Sequence, residues 1–127
     1  MPLARKLLGI GIDLVSRSRI QRFLASHSPK FLRRLFTPSE QVAFGKTSHP
    51  IEFFSRSFAA KEAYFKARRG TFLREEDFRE TEVVMEGEKE FSIERAGVPD
   101  PLRGEGRFFE TPEGIGAQVV VWKGKNL

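Results

Sequence analysis

Residues 58–67 read FAAKEAYFKA, and the kind of helix they form decides the fold. From Ile51 to Arg69 the chain has no Gly or Pro, alanine recurs, and Gly70 stands ready as a C-cap. The spacing therefore predicts a long central helix over these residues, with Arg68 and Arg69 in the last turn, where cations are favoured. Helical geometry sets Phe54, Phe58, Glu62 and Lys66 along one slowly rotating stripe, with Ala59 and Phe65 beside it. If the phenylalanines face the core, Glu62 begins at its edge. A carboxylate is costly there unless it is paired or bound to a cation. The ordinary solution is a Glu62–Lys66 pair one turn apart, worth about 0.3 kcal/mol if exposed.

Upstream, RKLLGIGIDLV at residues 5–15 reads as a buried first strand. Its apolar run leaves little room for a solvated face, and Gly9 and Gly11 permit close backbone approach. The strand delivers Asp13 to its end, a poor place for an unpaired charge and a good one for a ligand-binding carboxylate. A hard cation shared by Asp13 and Glu62 answers both problems. Mg²⁺ keeps waters and takes further oxygens from substrate phosphates, so the pair points to a phosphate-bearing ligand.

Between strand and central helix, SRSRIQRFLASH predicts a basic amphipathic helix and SPKFLRRLF a short helical piece opened by Ser28 and Pro29. TPSEQVAF carries a capping box, Thr37 with Glu40, and the helix it opens is expected to be short, broken by Gly45 and then KTSHP. Beyond the central helix, TEVVMEGEKEFSI predicts two antiparallel strands joined around Glu86 to Glu88. Residues 97–106 read as a loop or a loop with one helical turn, and GRFFETPEGIGAQVVVWKG as two strands around a Thr111 to Gly114 turn. A strand, three or four helices and then several strands make an α+β chain, one long central helix against an antiparallel sheet. A length of 127 residues suits one domain, 1–127.

Composition narrows the function. The chain has no cysteine, which removes thiol chemistry and disulfides. His27 and His49 lack any zinc spacing, and the glycines of GIGID lack a phosphate-loop lysine and a dinucleotide fingerprint. No stretch suits a membrane span or a signal peptide, so a cytoplasmic protein is expected. A net charge of +5, from 22 basic and 17 acidic residues, implies an anionic partner. Arginines gather as Arg17, Arg19 and Arg22, as Arg33 and Arg34, and as Arg68 and Arg69. A basic nucleic-acid-binding domain accounts for that charge but leaves Asp13 and Glu62 unexplained. A structural interaction module, with no role for either acid, is the other alternative.

GIGIDLV, followed about fifty residues later by FAAKEAYFKA, resembles the 4'-phosphopantetheinyl transferases, in particular their small holo-[acyl-carrier-protein] synthase group. SRI, FTPSE, EVVM and GAQVVV extend the similarity over nearly the whole chain. The resemblance implies transfer of the phosphopantetheine arm of coenzyme A to a serine of apo acyl carrier protein, releasing 3',5'-ADP. It implies Asp13 and Glu62 as Mg²⁺ ligands and Lys66 as a phosphate contact. It also implies an acidic carrier met by Arg19, with Arg17 and Arg22 broadening the patch, and no nucleic acid or membrane as partner. Arg33, Arg34, Lys46 and Arg68 become candidates for the coenzyme's other phosphate. A homotrimer is implied, with Asp13 from one chain and Glu62 and Lys66 from the next. The chain departs from the pattern around the site: Ser57 replaces an arginine, with Arg56 one place earlier, and Glu110 stands where a histidine is expected. The glycine turn after the central helix and the GKP turn of the middle strands are both altered. These departures make a transferase-like protein with weak or lost activity the alternative within the family.

Overall fold

The computed structural model describes residues 5–68, 75–95 and 102–124. Strand β1 (Arg5–Ser16) leads into helices α1 (Arg17–Ser26), α2 (Pro29–Leu32), α3 (Pro38–Lys46) and the long α4 (Pro50–Ala67). The short α5 (Glu75–Glu80) then precedes β2 (Thr81–Met85), β3 (Glu90–Arg95), β4 (Leu102–Glu110) and β5 (Gly114–Gly124). The five strands form one sheet in the order β1-β5-β4-β3-β2, and every neighbouring pair is antiparallel. The expected α+β arrangement, a long helix laid on an antiparallel sheet, is the one observed. The proposed C-cap Gly70, Arg69 and the glycine turn beyond them fall outside the described residues.

Helix and sheet touch through very small residues. A methyl group on Gly9 would come within 2.1 Å of the Ala67 carbonyl oxygen, and one on Gly11 within 1.9 Å of that of Ala63. Glycine on the strand and alanine on the helix therefore bring the two backbones into contact. The core continues through Phe54, Tyr64, Phe65, Phe91, Phe108, Ile115, Val119 and Val121, all buried.

This packing corrects the reading of the first strand. β1 is an edge strand with one buried face, the glycine face. Leu7, Ile10, Ile12 and Leu14 stay between 49% and 67% exposed. The side-chain period of two, which puts Gly9, Gly11, Asp13 and Val15 inward, sends Ile10, Ile12 and Leu14 outward. The register slips by one residue between Leu7 and Gly9.

Two further boundaries differ from expectation. The segment read as a loop to residue 106 is already strand from Leu102. Gly104 and Gly106, which argue for a loop in the sequence, are seats for rings: a methyl on Gly104 would meet the Tyr64 ring at 2.8 Å, and one on Gly106 the Phe91 ring at 2.4 Å. α3 is short as expected, but Gly45 lies inside it and the break comes in KTSHP, the helix running to Lys46 with Thr47 as its cap. At the other end of α3 the capping box is present as expected, Thr37 accepting from the Glu40 amide and Glu40 from the Thr37 amide. The Thr111 to Gly114 turn also forms, the Thr111 amide donating to the Gly114 carbonyl at 3.0 Å.

Candidate active site

The close contact of β1 and α4 aims the candidate residues. Going along β1 from Gly9 to Gly11 corresponds to going back along α4 from Ala67 to Ala63. Two residues further, on the same strand face, Asp13 arrives beside the helix turn that carries Glu62 and Lys66. Lys66 Nζ donates to Asp13 Oδ1 at 2.8 Å and to the Ile12 carbonyl at 3.3 Å. The ammonium thus bridges helix to strand, and the simple Glu62–Lys66 pair expected within the helix gives way to it.

Asp13 and Glu62 border one cleft of about 380 Å³. Its wall is apolar, with Ile20, Phe23, Phe54 and Phe58, and Arg19 stands at its rim. Phe54 and Phe58 stack at 6.0 Å between ring centres, and Phe54 meets Phe23 at 5.6 Å. The Glu62 carboxyl is pushed above the ordinary carboxylate range, first by burial against these rings and then by the Asp13 charge, with Lys66 opposing. Two carboxylates that repel one another in a half-apolar cleft suit a hard cation. No cluster of three or more His, Cys, Asp or Glu side chains exists among the described residues. An ion held by Asp13 and Glu62 would therefore take its remaining oxygens from water or a ligand, the habit of Mg²⁺.

The structure brings Asp13, Glu62 and Lys66 together within one chain. That corrects the division of these residues between neighbouring chains: β1 and α4 of the same chain are locked by their glycine–alanine contact, so the acids need no second subunit to meet.

The arginines separate into different roles. Arg19 points to the cleft and Arg22 is exposed on the same helix. Arg17 is engaged internally: its Nε donates to Glu52 Oε2 at 3.1 Å and its Nη2 to Glu110 Oε1 at 3.5 Å. Glu52 holds its guanidinium firmly protonated. Glu110, the residue standing in for the expected histidine, is thus a partner of Arg17. Arg33, Arg34, Lys46 and Arg68 do not border the acid-lined cleft. His27 and His49 are exposed, and His27 stacks on Phe23 at 4.0 Å.

The sequence reading missed Lys61, the residue before Glu62. It is buried to 1% exposure, and its Nζ donates to Glu40 Oε1, to the Leu35 carbonyl at 2.7 Å and to the Phe78 carbonyl at 3.0 Å. Glu40 in turn accepts from the Val83 amide at 2.9 Å. Burial lowers the Lys61 pKa, and the Glu40 charge offsets that in part. One signal was legible: Lys61 falls on the helical row of Phe54, Phe58 and Phe65, which is apolar around it.

Comparison with known proteins agrees with this geometry. A profile of the 4'-phosphopantetheinyl transferase superfamily matches residues 9–113. The chain is 46% identical over 61 residues to the holo-[acyl-carrier-protein] synthase of Nitrosospira multiformis, 48% of this chain and 49% of that one. It is 42% identical over 82 residues to that of Geobacillus kaustophilus, 63% of each chain. These matches span about half to three-fifths of the curated relatives' length. Among solved structures, the synthase of Neisseria meningitidis superposes with a TM-score of 0.76 at 27% identity, covering 91% of this chain and 98% of that one. With the profile spanning most of its length and the fold shared throughout, the chain belongs to the 4'-phosphopantetheinyl transferase superfamily.

Proposed function

We propose that the protein is a holo-[acyl-carrier-protein] synthase, which moves the 4'-phosphopantetheine arm of coenzyme A to a serine of an acidic apo acyl carrier protein. The observation that carries this reading is the convergence of Asp13 and Glu62 on one cleft with Arg19 at its rim, Lys66 being held beside it by its ion pair with Asp13. The carrier's serine oxygen attacks the phosphorus that bears the pantetheine arm. The bond from that phosphorus to the bridging oxygen breaks, and 3',5'-ADP leaves with the electron pair. The attacking serine belongs to the partner, so the chain needs no nucleophile of its own.

Each residue has a part. Glu62 takes the proton of the serine hydroxyl. Lys66, whose side chain is 54% exposed, turns from Asp13 to the phosphate oxygens when the donor enters. Asp13 and Glu62 would hold Mg²⁺, which supplies positive charge where negative charge gathers on the transferring and leaving groups. Phe23, Phe54 and Phe58 keep water from one side of the cleft. Arg19 orients the acidic carrier, with Arg22 beside it. Arg33, Arg34, Lys46 and Arg68 remain the candidates for the 3'-phosphate.

The same reading takes residues 1–127 as one domain, places it in the cytosol, and assembles it as a homotrimer through the exposed apolar face of β1. The test is incubation of purified protein with coenzyme A, Mg²⁺ and apo carrier protein, read by intact-mass spectrometry of the carrier. A gain of one phosphopantetheine, lost on chelation of the metal, is expected. No gain with any of several acidic carriers, from folded protein, rejects the reading in favour of a family member without activity.

A further inference from the structure

Asp13 already has a cation. Lys66 Nζ lies 2.8 Å from Asp13 Oδ1 and 3.3 Å from the Ile12 carbonyl oxygen, so an ammonium with three donors spends two of them on neighbouring residues of β1. The two members of the ion pair differ in freedom. The Asp13 side chain is 15% exposed, on a short stem fixed by the strand, whereas that of Lys66 is 54% exposed, at the end of four methylenes. Asp13 borders the same cleft as Glu62, and the charges of Asp13 and Lys66 pull the Glu62 carboxyl in opposite directions. One ammonium therefore sits among the groups that a divalent ion would need.

Two cations on one small carboxylate repel one another, and a hard divalent ion demands oxygen lone pairs in a strict geometry. Asp13 cannot move away, since Gly9 and Gly11 seat its strand against α4. Lys66 can, because its half-exposed stem reaches solvent with little rearrangement. The Ile12 carbonyl that it leaves belongs to an edge strand, where water can take the donor's place. We propose that Lys66 is a built-in competitor for the metal, an internal cation that occupies Asp13 and must leave it before Mg²⁺ binds. Phosphate oxygens offer the ammonium another acceptor, so the same contact couples arrival of a phosphate-bearing donor to loading of the metal. The inference rests on the transferase reading for the identity of metal and donor.

Mg²⁺ alone is the probe, titrated calorimetrically into the full chain at constant ionic strength with neither donor nor carrier present. Lys66→Met keeps an apolar stem and removes the charge. It should bind Mg²⁺ about tenfold more tightly than the parent, somewhat more than an exposed ion pair is worth, because Asp13 is largely enclosed. Arg19→Met, which removes a charge at the rim of the same cleft, should change the affinity by less than about twofold. Adding Asp13→Asn to Lys66→Met should abolish binding. In the parent, the Lys66 ammonium protons, slowed in exchange by their two acceptors, should lose their nuclear magnetic resonance signal over the same range of Mg²⁺ concentration. The proposal is overturned if Lys66→Met binds Mg²⁺ no more tightly than the parent, if Arg19→Met gains as much, or if binding survives Asp13→Asn. It is equally overturned by an ammonium signal unmoved at saturating Mg²⁺, which would put metal and lysine on different oxygens of Asp13 at once. A folded protein that shows the competition yet transfers nothing would reject the transferase reading and leave this inference standing.

Discussion

Glu62 is proposed both as a metal ligand and as a base, and its surroundings disfavour its charge. Burial and the Asp13 charge raise its pKa. Its folded value therefore lies above its unfolded one, so the folded state binds the proton more tightly. The associated stability is present below the unfolded pKa and is lost as pH rises through the folded value. Above the folded value the metal-free protein carries the cost of an ionised Glu62. Glu62→Gln should thus raise the melting temperature at neutral pH, with the gain fading toward the ordinary glutamate range, while transfer falls by roughly a thousandfold. A variant that melts lower than the parent at neutral pH would contradict the burial argument, and one that keeps near-normal transfer would remove Glu62 from the reaction. The arginines of α1 divide in the same way. Arg19, at the rim of the cleft, is expected to act on encounter: Arg19→Glu should raise the KM for the carrier and flatten its salt dependence, with kcat little changed. Arg17, tied to Glu52 and Glu110, is expected to act on the fold, so Arg17→Met should lower stability with the carrier KM unmoved. Kinetics over a salt series, alongside thermal melts, distinguishes the two; an equal rise in KM from both would return Arg17 to the docking patch.

At the scale of elements, two contacts hold α4 in register with its neighbours. On one side Gly9 and Gly11 let β1 lie against Ala63 and Ala67. Gly11→Ala places a methyl 1.9 Å from a backbone oxygen that cannot move alone, so strand and helix must separate. A loss of about 1–3 kcal/mol is expected from this overpacking, together with a larger loss of transfer than stability alone explains, because Asp13 moves away from Glu62. Urea denaturation and transfer assays check it; an active variant of parental stability would show that the contact is slack. On the other side the buried Lys61 joins α4 to α3 through Glu40, to the segment after α2 through Leu35 and to α5 through Phe78. Lys61→Met leaves Glu40 buried without its counter-charge and two carbonyls without a donor. About 3–5 kcal/mol should be lost, seen as a lower urea midpoint, and a loss well under 1 kcal/mol would contradict this account of the node. How much of this was legible follows from the same contacts. Local signals were sufficient for the capping box at Thr37 and Glu40, the strand pair around Glu86 to Glu88 and the long helix. The glycines of β1 could be read as close-approach sites. Their consequence, that the bulky residues alternating with them must face outward, depends on which face the helix covers, and one strand taken alone does not show that. Gly104 and Gly106 misled for the same reason, since the rings of Tyr64 and Phe91 that fill their places come from distant parts of the chain. The acid pair was legible as chemistry, but the choice between one chain and two was a matter of tertiary packing.

Across the whole molecule the outer face of β1 is the feature that a single chain leaves unresolved. Leu7, Ile10, Ile12 and Leu14 are exposed along an edge strand, and on the neighbouring strand Val120 pairs with Ile10 and Trp122 with Leu7. An open edge carrying a row of branched apolar side chains invites association, and the apolar area removed from water there would stabilise a closed assembly of copies. The proposed trimer therefore rests on this face, and the fold of the chain does not: β1's inward face is already secured on α4. Replacing Ile10 and Ile12 together by lysine puts two like charges in the middle of the face while leaving Gly9, Gly11 and Asp13 untouched on the other side. The parent is expected to sediment as a trimer at micromolar concentration, and Ile10→Lys/Ile12→Lys as a folded monomer with the parental far-ultraviolet circular dichroism. Because Asp13, Glu62 and Lys66 come from one chain, that monomer should still melt higher with added Mg²⁺ than without, and Asp13→Asn in the same background should abolish the shift. A double-lysine variant that stays trimeric would remove β1 from the interface, and a monomer that no longer responds to Mg²⁺ while remaining folded would show that the acids need a neighbouring chain to act together.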